Sequence, residues 1–264
     1  AVARPMIESL ESQPDRWDAS SLISLSSSAA LFSQSVKERF LERFPNLIIT
    51  DSIGSTEGGF NGVTYAAKGE KADGGGPTVS PGRDVAVLDA ELNVIPKGDT
   101  TVGNLGRTGN IPLGYYNDPV KTAEVFVTAN DGKRYSMGGD FARWTDDGHL
   151  VMLGRGSVSI NSGGEKIFPE EVEAALKSHP AVYDCLVVGV PDQRWGQRVA
   201  AIVAIRDDHS TTLEDLTDHA RTLVAGYKVP RELHVVEQIV RSPSGKPDYP
   251  WAKQIAEAGT ARVD

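Results

Sequence analysis

Apolar residues follow two periodicities in the first part of the chain, and each predicts its own element. The apolar runs at residues 22–25 and 47–50 are typical of buried strands, and the second is expected to lie parallel to the first. Between them, Val36, Phe40 and Phe44 recur at helical spacing. A strand, a helix and a second strand in this order predict part of an α/β unit with a parallel sheet.

The middle of the chain changes to short strands and turns. Residues 85–96 read as a hairpin, and many glycines and prolines surround it, which together favour a small distorted β-barrel. Asp118 is a good N-cap with proline at the first helical position behind it, so a short helix is expected there. Its predicted buried side consists of Val120, Ala123 and Phe126.

Beyond residue 155, strands and helices alternate on a smaller scale. A helix is predicted from Pro169, strands at residues 182–188 and 199–205, a second helix opened by Thr212, and a strand at residues 233–236. The expected fold class is therefore α/β and α+β: the end of a parallel-sheet subdomain, a barrel-like part and a small mobile domain. The predicted boundaries are 1–155 for the large domain, divided at about residue 68 into a sheet remnant (1–68) and a barrel-like part (69–155), and 156–264 for the small domain.

Composition narrows the class of function. The 264 residues are 39% hydrophobic and carry a net charge of −9, which argues against a general nucleic-acid-binding role. Anionic ligands would need local positive groups. Cys185 is the only cysteine, so no intrachain disulfide can form, and its apolar surroundings predict a buried thiol. No apolar stretch is long enough to span a bilayer, and we expect neither a membrane span nor a signal peptide. Because the chain begins at Ala1 without methionine, we expect a fragment or a processed chain.

Residues 154–173 hold the motif that best marks the chain. Residues 157–160 alternate polar and apolar side chains, as a short half-buried strand does. Gly163 and Gly164 allow a tight turn that keeps side chains away from a ligand. Pro169 fits the first turn of a helix that follows at once. A lone glycine pair would mean little, but the whole run is specific.

This run closely resembles the hinge motif of the adenylate-forming superfamily, and within it the fatty acyl-CoA synthetases. The resemblance implies that Ser157 occupies the hinge position, where Asp or Lys is more common. It also implies that Gly163 and Gly164 line the tunnel for the pantetheine arm of CoA.

Residues 51–59 combine glycines and small hydroxyl residues after a predicted strand. Alone they could be a polar turn, but they resemble the superfamily's Tyr-Gly-x-Thr-Glu motif. The resemblance implies that Thr56 contacts phosphate and that Glu57 binds Mg²⁺, with Ile53 in place of the aromatic residue beside adenine. Further contacts to ATP or AMP are implied for Ser52, Ser55 and Ala29.

Two further motifs complete the resemblance. Asp140 follows two glycines, and its two carboxylate oxygens suit a vicinal diol, although an aspartate capping a turn would look the same. The resemblance makes Asp140 the ribose ligand and brings Arg155 to the same nucleotide. Lys246 lies on a glycine-flanked loop, where its compact charge suits developing phosphoryl charge. It matches the adenylation lysine, against the alternative of a plain surface loop.

The resemblance implies a two-step ligase that uses ATP, Mg²⁺ and CoA to convert a small-molecule carboxylate to an acyl-CoA through an acyl-adenylate. The resemblance favours a lipid or steroid-side-chain carboxylate and a cytoplasmic enzyme, and it leaves peripheral membrane association and a homodimer open. The superfamily's upstream phosphate loop is not in this sequence, so the chain alone is expected to be inactive. Other adenylating enzymes, such as carrier-protein-loading or aryl-CoA ligases, and a non-catalytic nucleotide-binding fragment stay open.

Overall fold

The computed structural model describes residues 2–28, 32, 34–66, 78–207, 209–242 and 245–259. The chain forms two compact units, and the boundary between them in the sequence falls between Leu153 and Gly154. Within the described ranges, no helix combines the length and the apolar character needed to cross a membrane.

The first unit opens with a helix and a short parallel sheet. Helix α1 (Ala3–Ser12) and helix α2 (Gln34–Arg43) flank strand β1 (Ser24–Ser28), which pairs in parallel with β2 (Ile48–Ser55). The predicted parallel pair is confirmed. A core below these strands is fully or nearly fully buried and comprises Ile7, Leu10, Val36, Phe40, Leu41, Leu47 and Ile49. The amphipathic helix α1, which contributes Ile7 and Leu10 to this core, was not predicted.

Antiparallel strands extend this sheet through the rest of the first unit. The pairings join eleven described strands in the order β1-β2-β3-β4-β11-β10-β7-β5-β6, with β9 paired to β7 and β8. The added strands are β3 (Gly59–Ala66), β4 (Thr78–Pro81), β5 (Val85–Leu88), β6 (Val94–Ile95), β7 (Gly103–Arg107), β8 (Phe126–Thr128), β9 (Arg134–Ser136), β10 (Asp140–Trp144) and β11 (Leu150–Arg155). The predicted β5–β6 hairpin is confirmed. These strands enclose Trp144, whose indole Nε1 donates to the carbonyl of Ile95.

Helix α3 (Pro119–Val125) is capped as predicted but buries different residues. The Asp118 carboxylate accepts from the Lys121 amide, and Pro119 takes the first helical position. Val120 is 69% exposed and Ala123 is also exposed, so their predicted burial was wrong. The helix has only seven residues and is held by polar bonds of Thr122 Oγ1, which donates to the carbonyl of Asp118 and accepts from the amide of Tyr115. Phe126 is buried as predicted, as the first residue of β8.

The second unit is a small mixed sheet with helices on both faces. Its strands are β12 (Ile160–Ser162), β13 (Glu165–Ile167), β14 (Val182–Asp192), β15 (Gly196–Ile205) and β16 (Glu232–Val236), and its helices are α4 (Pro169–Lys177), α5 (Leu213–Arg221) and α6 (Tyr249–Ala258). The order is β13-β12-β15-β14, and β16 pairs in parallel with β15. A short 3₁₀ turn (Gly156–Val158) stands where a strand over residues 157–160 was predicted, and the strand begins only at Ile160.

Alternate residues of β14 and β15 feed two separate cores. Helices α4 and α5 cover the face that carries Val187, Val199 and Val203, whereas α6 covers the face that carries Leu186 and Ile202. Cys185 belongs to the first core and is fully buried, as predicted. Thr212 forms the reciprocal capping box that starts α5. The fold class of mixed α/β and α+β is confirmed, while α6 is an element that the sequence analysis missed.

Candidate functional site

A hairpin in the first unit carries most of the residues assigned to nucleotide and metal. Strand β2 continues through Ser52, Ile53 and Ser55, and only residues 56–58 form the turn before β3. Pairing with β3 supplies backbone hydrogen bonds as far as Ser55, so the turn occupies only a small part of residues 51–59. The half-buried side chain of Ile53 packs against the core around Trp144. Thr56 is exposed at the tip of the hairpin.

The carboxylate of Glu57 has a partner that the sequence did not reveal. The phenol of Tyr115 donates a hydrogen bond to Glu57 Oε1 at 2.5 Å. This hydrogen bond, together with burial, raises the pKa of Tyr115 to about 12. Lys121 Nζ lies 4.6 Å above the Tyr115 ring, so the phenol is held from a second side. Tyr115 thus orients the carboxylate that would face a metal. The two residues are 58 positions apart, so no local sequence motif predicts their contact.

The donor set around Glu57 fits Mg²⁺ only as a companion of phosphate. Among the residues that the structure describes, no three His, Cys, Asp or Glu side chains cluster as a metal cage. Mg²⁺ commonly takes one or two carboxylates, several waters and substrate phosphate oxygens. A single oriented carboxylate therefore suits a magnesium ion that is carried by a nucleotide, not one held permanently by the protein.

The Asp140 motif lies beside the Glu57 hairpin. Asp140 begins β10 directly after Gly138 and Gly139, and the latter has a φ of +84°. A Cβ placed on Gly138 would lie 4.0 Å from Ser55 Oγ. Ser55 Oγ accepts from the Gly58 amide at 2.9 Å, and a Cβ on Gly58 would lie 3.3 Å from Ser136 Oγ. The two motifs therefore meet through small residues, of which Gly58 is buried and Gly138 and Gly139 are exposed.

Arg155 and Ser157 lie in the second unit, next to helix α4. The Arg155 amide donates to Glu170 Oε1 at 3.4 Å. Gly154, at a φ of +129°, has the carboxylate of Glu170 where a Cβ would be. Ser157 is the middle residue of the 3₁₀ turn that follows. Close contact with α4 therefore requires glycine at position 154.

Gly163 and Gly164 form the turn between β12 and β13, with φ values of +62° and +89°. The Gly163 amide donates to the carbonyl of Trp195 at 2.8 Å, and a Cβ on Gly163 would lie 2.8 Å from the Trp195 ring. Nothing lies within 4 Å of a Cβ on Gly164. The guanidinium groups of Arg194 and Arg231 lie 4.7 and 5.1 Å from the same indole. The predicted turn thus packs against the ring of Trp195, a contact between residues that are distant in the sequence.

Lys246 is exposed on a loop closed by a β-bridge between Arg241 and Pro247. The Ser242 amide donates to the Lys246 carbonyl at 2.9 Å, and the Lys246 amide donates to Ser242 Oγ at 3.1 Å. Gly245 takes a φ of +79° within this loop. The backbone of Lys246 is therefore ordered, although its side chain reaches solvent.

The Lys246 loop and the glycine turn are attached to opposite ends of β14. The loop is tied through Arg241 to Asp184, near the start of the strand. The glycine turn is tied to Trp195, just beyond its end at Asp192. Eight residue steps at about 3.3 Å each separate Asp184 from Asp192, or about 26 Å. The second unit therefore attaches the two loops at well-separated points of one strand. Ala29 lies outside the described residues.

Comparisons with known proteins show which proteins this chain is similar to. The AMP-binding enzyme C-terminal domain matches residues 171–246. A 3-oxocholest-4-en-26-oate–CoA ligase of Rhodococcus rhodochrous is 57% identical over 96% of this chain and 46% of its own length. The chain is therefore similar, over nearly its whole length, to about half of an acyl-CoA ligase, and it carries the C-terminal domain of AMP-binding enzymes.

Two further proteins are similar to this chain. A medium/long-chain-fatty-acid–CoA/3-oxocholest-4-en-26-oate–CoA ligase of Mycobacterium tuberculosis is 54% identical over 99% of the chain and 47% of its own length. The chain thus spans about half the length of these curated relatives. The structure of the amide bond synthetase McbA from Marinactinospora thermotolerans matches with a TM-score of 0.77 over 96% of this chain and 55% of that one, at 24% identity. At that identity the likeness shows the fold alone.

Proposed function

We propose that the protein carrying this chain is an ATP-dependent acyl-CoA synthetase acting on a lipid or steroid-side-chain carboxylate. The attachment of Lys246 and the glycine turn to opposite ends of β14 is the observation that carries this proposal, because two separate loops suit two separate chemical steps. The names of relatives that are 54–57% identical over nearly the whole chain point to the same substrate class.

In the first proposed step, a carboxylate oxygen of the substrate bonds to the α-phosphorus of ATP and the bond to pyrophosphate breaks. Lys246 places a compact positive charge where negative charge grows on the phosphoryl oxygens. Thr56 and Ser55 donate hydroxyl hydrogen bonds to phosphate. Glu57, oriented by Tyr115, would supply a carboxylate to a Mg²⁺ ion, and that ion would neutralise negative charge of the polyphosphate.

The nucleotide is proposed to stay bound through both steps. Asp140 accepts hydrogen bonds from the two ribose hydroxyls, and Arg155 contacts the same nucleotide. Ser52 and Ile53 belong to the neighbouring stretch of β2, and Ala29 is a further proposed contact. Because Ile53 is partly used in packing, its exposed part would offer the base an apolar contact without stacking.

In the second proposed step, the CoA thiol loses its proton, its sulfur bonds to the acyl carbon, and AMP leaves. Gly163 and Gly164 present a backbone without side chains to the pantetheine arm. Since the two loops are attached to β14 at points about 26 Å apart, each is proposed to serve one step only. Ser157 is proposed as the hinge that lets the second unit change which loop it presents.

The location and assembly of the protein form a finer part of the proposal. We place it in the cytoplasm, with peripheral membrane contact as the route to a lipid-like acid and a homodimer as its assembly. Co-sedimentation with lipid vesicles and the mass measured by light scattering test these two points separately.

The test of the function is a half-reaction assay on the longest natural form of the protein. Wild type should release pyrophosphate with a steroid or fatty carboxylate and form the thioester with CoA. Lys246→Ala should lose pyrophosphate release but still convert supplied acyl-adenylate and CoA to thioester. Lys253→Ala, an exposed lysine on α6, should keep both steps.

Two results would contradict the proposal. Wild-type protein without any carboxylate-dependent pyrophosphate release would exclude the synthetase itself. Equal loss of both half-reactions in Lys246→Ala would show that the lysine does not serve adenylation specifically.

A further inference from the structure

The loop that carries Lys246 is gripped by one arginine that also binds the central sheet. Arg241 Nε and Nη2 donate to the two carboxylate oxygens of Asp184 at 2.8 and 2.9 Å. Arg241 Nη1 donates to the carbonyl of Gly245 at 3.3 Å. One planar side chain therefore joins strand β14 to the residue immediately before Lys246.

Further charged side chains on α4 support the Arg241–Asp184 ion pair. Lys177 on α4 lies 3.5 Å from Asp184 and 3.3 Å from Glu173. Glu173 is 2% exposed, and its Oε1 accepts from the Val187 amide at 3.1 Å. Four ionic groups on a helix, a strand and a loop thus form one network of ion pairs. Because Asp184 is bound on both sides, its carboxylate is fixed in position for Arg241.

The electrostatics agree with a tight pair. Burial acts to raise the pKa of Asp184, but hydrogen bonds from Arg241 and the charge of Lys177 outweigh it and lower that pKa. Asp184 and Arg241 are each only 21% exposed, so water screens the pair less than it would a surface pair. The carboxylate therefore stays charged and bidentate.

We propose that Arg241, fixed by Asp184, is a positioning residue that sets the backbone of Gly245 and so the place of Lys246 in the adenylation step. This inference rests on the proposed function. A guanidinium can satisfy both carboxylate oxygens and a carbonyl from one plane, whereas a lysine ammonium is a single point charge and cannot hold all three. Without the hydrogen bonds of Arg241 to Asp184 and Gly245, the loop keeps its short-range bonds but loses its attachment to β14.

The control comes from a second arginine in the same unit. Arg198 Nε donates to Glu232 Oε2 and its Nη1 donates to the carbonyl of Pro191, both at 2.7 Å. It therefore makes the same kind of carboxylate-and-carbonyl contact, but away from the Lys246 loop. Arg198→Gln and Arg241→Gln remove equivalent chemistry from two places.

The experiment compares both half-reactions in the longest natural form of the protein. A displacement of about 1 Å can cost about a hundredfold in rate, so Arg241→Gln should slow pyrophosphate release by about tenfold to a hundredfold. Thioester formation from supplied acyl-adenylate should stay near the wild-type rate. Arg241→Lys should recover part of the lost rate, and Asp184→Asn should show the same split between steps. Arg198→Gln should leave pyrophosphate release unchanged.

Hydrogen exchange provides a second measurement that does not depend on catalysis. Arg241→Gln should speed exchange at the amides of Gly245 and Lys246, and Arg198→Gln should not. Unchanged exchange at those amides, or equal loss of both half-reactions in Arg241→Gln, would overturn the inference. If the variants show the expected difference in hydrogen exchange but the wild-type protein never releases pyrophosphate, the proposed synthetase function is refuted and the positioning of the loop by Arg241 is not.

Discussion

Gly163 and Gly164 offer a comparison in which one substitution meets a ring and the other meets open space. Both residues have positive φ, so alanine at either position carries a left-handed backbone cost of about 1–2 kcal/mol. At Gly163, the added Cβ would also lie 2.8 and 3.2 Å from two carbon atoms of Trp195. Overpacking of this kind costs typically about 1–3 kcal/mol. We expect Gly164→Ala to destabilise the second unit by about 1–2 kcal/mol and Gly163→Ala by about 2–5 kcal/mol.

The assay is native-state hydrogen exchange at the amides of β14 and β15, which reports the opening free energy of this unit on its own. Trp195→Ala provides the decisive background. In that background the ring is absent, so Gly163→Ala should cost only about as much as Gly164→Ala, and the coupling energy should appear as the difference. If Gly163→Ala costs the same with and without the indole, or no more than Gly164→Ala, the contact with Trp195 does not explain the need for glycine.

Two further predictions concern the first unit. In the longest natural form of the protein, Asp140→Ala should weaken binding of ATP and AMP by about 1.5–3 kcal/mol, the range for hydrogen bonds to charged groups. The control Asp146→Ala, at an exposed aspartate of the same hairpin, should leave that affinity unchanged. If titration calorimetry finds the same nucleotide affinity in both variants, Asp140 is not the ribose ligand. Tyr115→Phe should remove a phenol that ionises near pH 12 and not near pH 10, because the carboxylate of Glu57 stabilises the protonated form. The stabilisation is therefore present below pH 10 and lost as the pH rises through 12; the difference in absorbance at 295 nm between the two proteins checks this, and a step near pH 10 would contradict it.

Local signals in the sequence identified the elements whose determinants are themselves local. Thr212 and Asp118 each cap a helix through a residue three positions further on, and the proline at the start of α4 acts at its own position. The parallel pairing of β1 and β2 followed from two apolar runs around a helix. Such features are readable because the residue type and its partner sit in the same short stretch.

Features that depend on distant partners were missed or wrong. Val120 follows the spacing of a buried helical face, yet it is exposed because α3 is held by polar bonds and not by an apolar face. Strand β2 runs past its apolar part because β3 pairs with it. The contacts of Tyr115 with Glu57 and of Trp195 with Gly163 join residues 58 and 32 positions apart, and no spacing rule connects them.

The burial of the single cysteine has a practical consequence for measurement. Cys185 is fully buried, and burial raises the pKa of its thiol, while its Sγ contacts the carbonyl of Glu173. Thiolates, not thiols, react quickly with disulfide reagents. In a colorimetric assay that measures free CoA thiol with a disulfide reagent, the folded chain should therefore add no signal of its own. Conversely, any labelling of Cys185 requires that α4 and β14 separate. The rate at which Cys185 is modified would therefore measure how often the second unit opens.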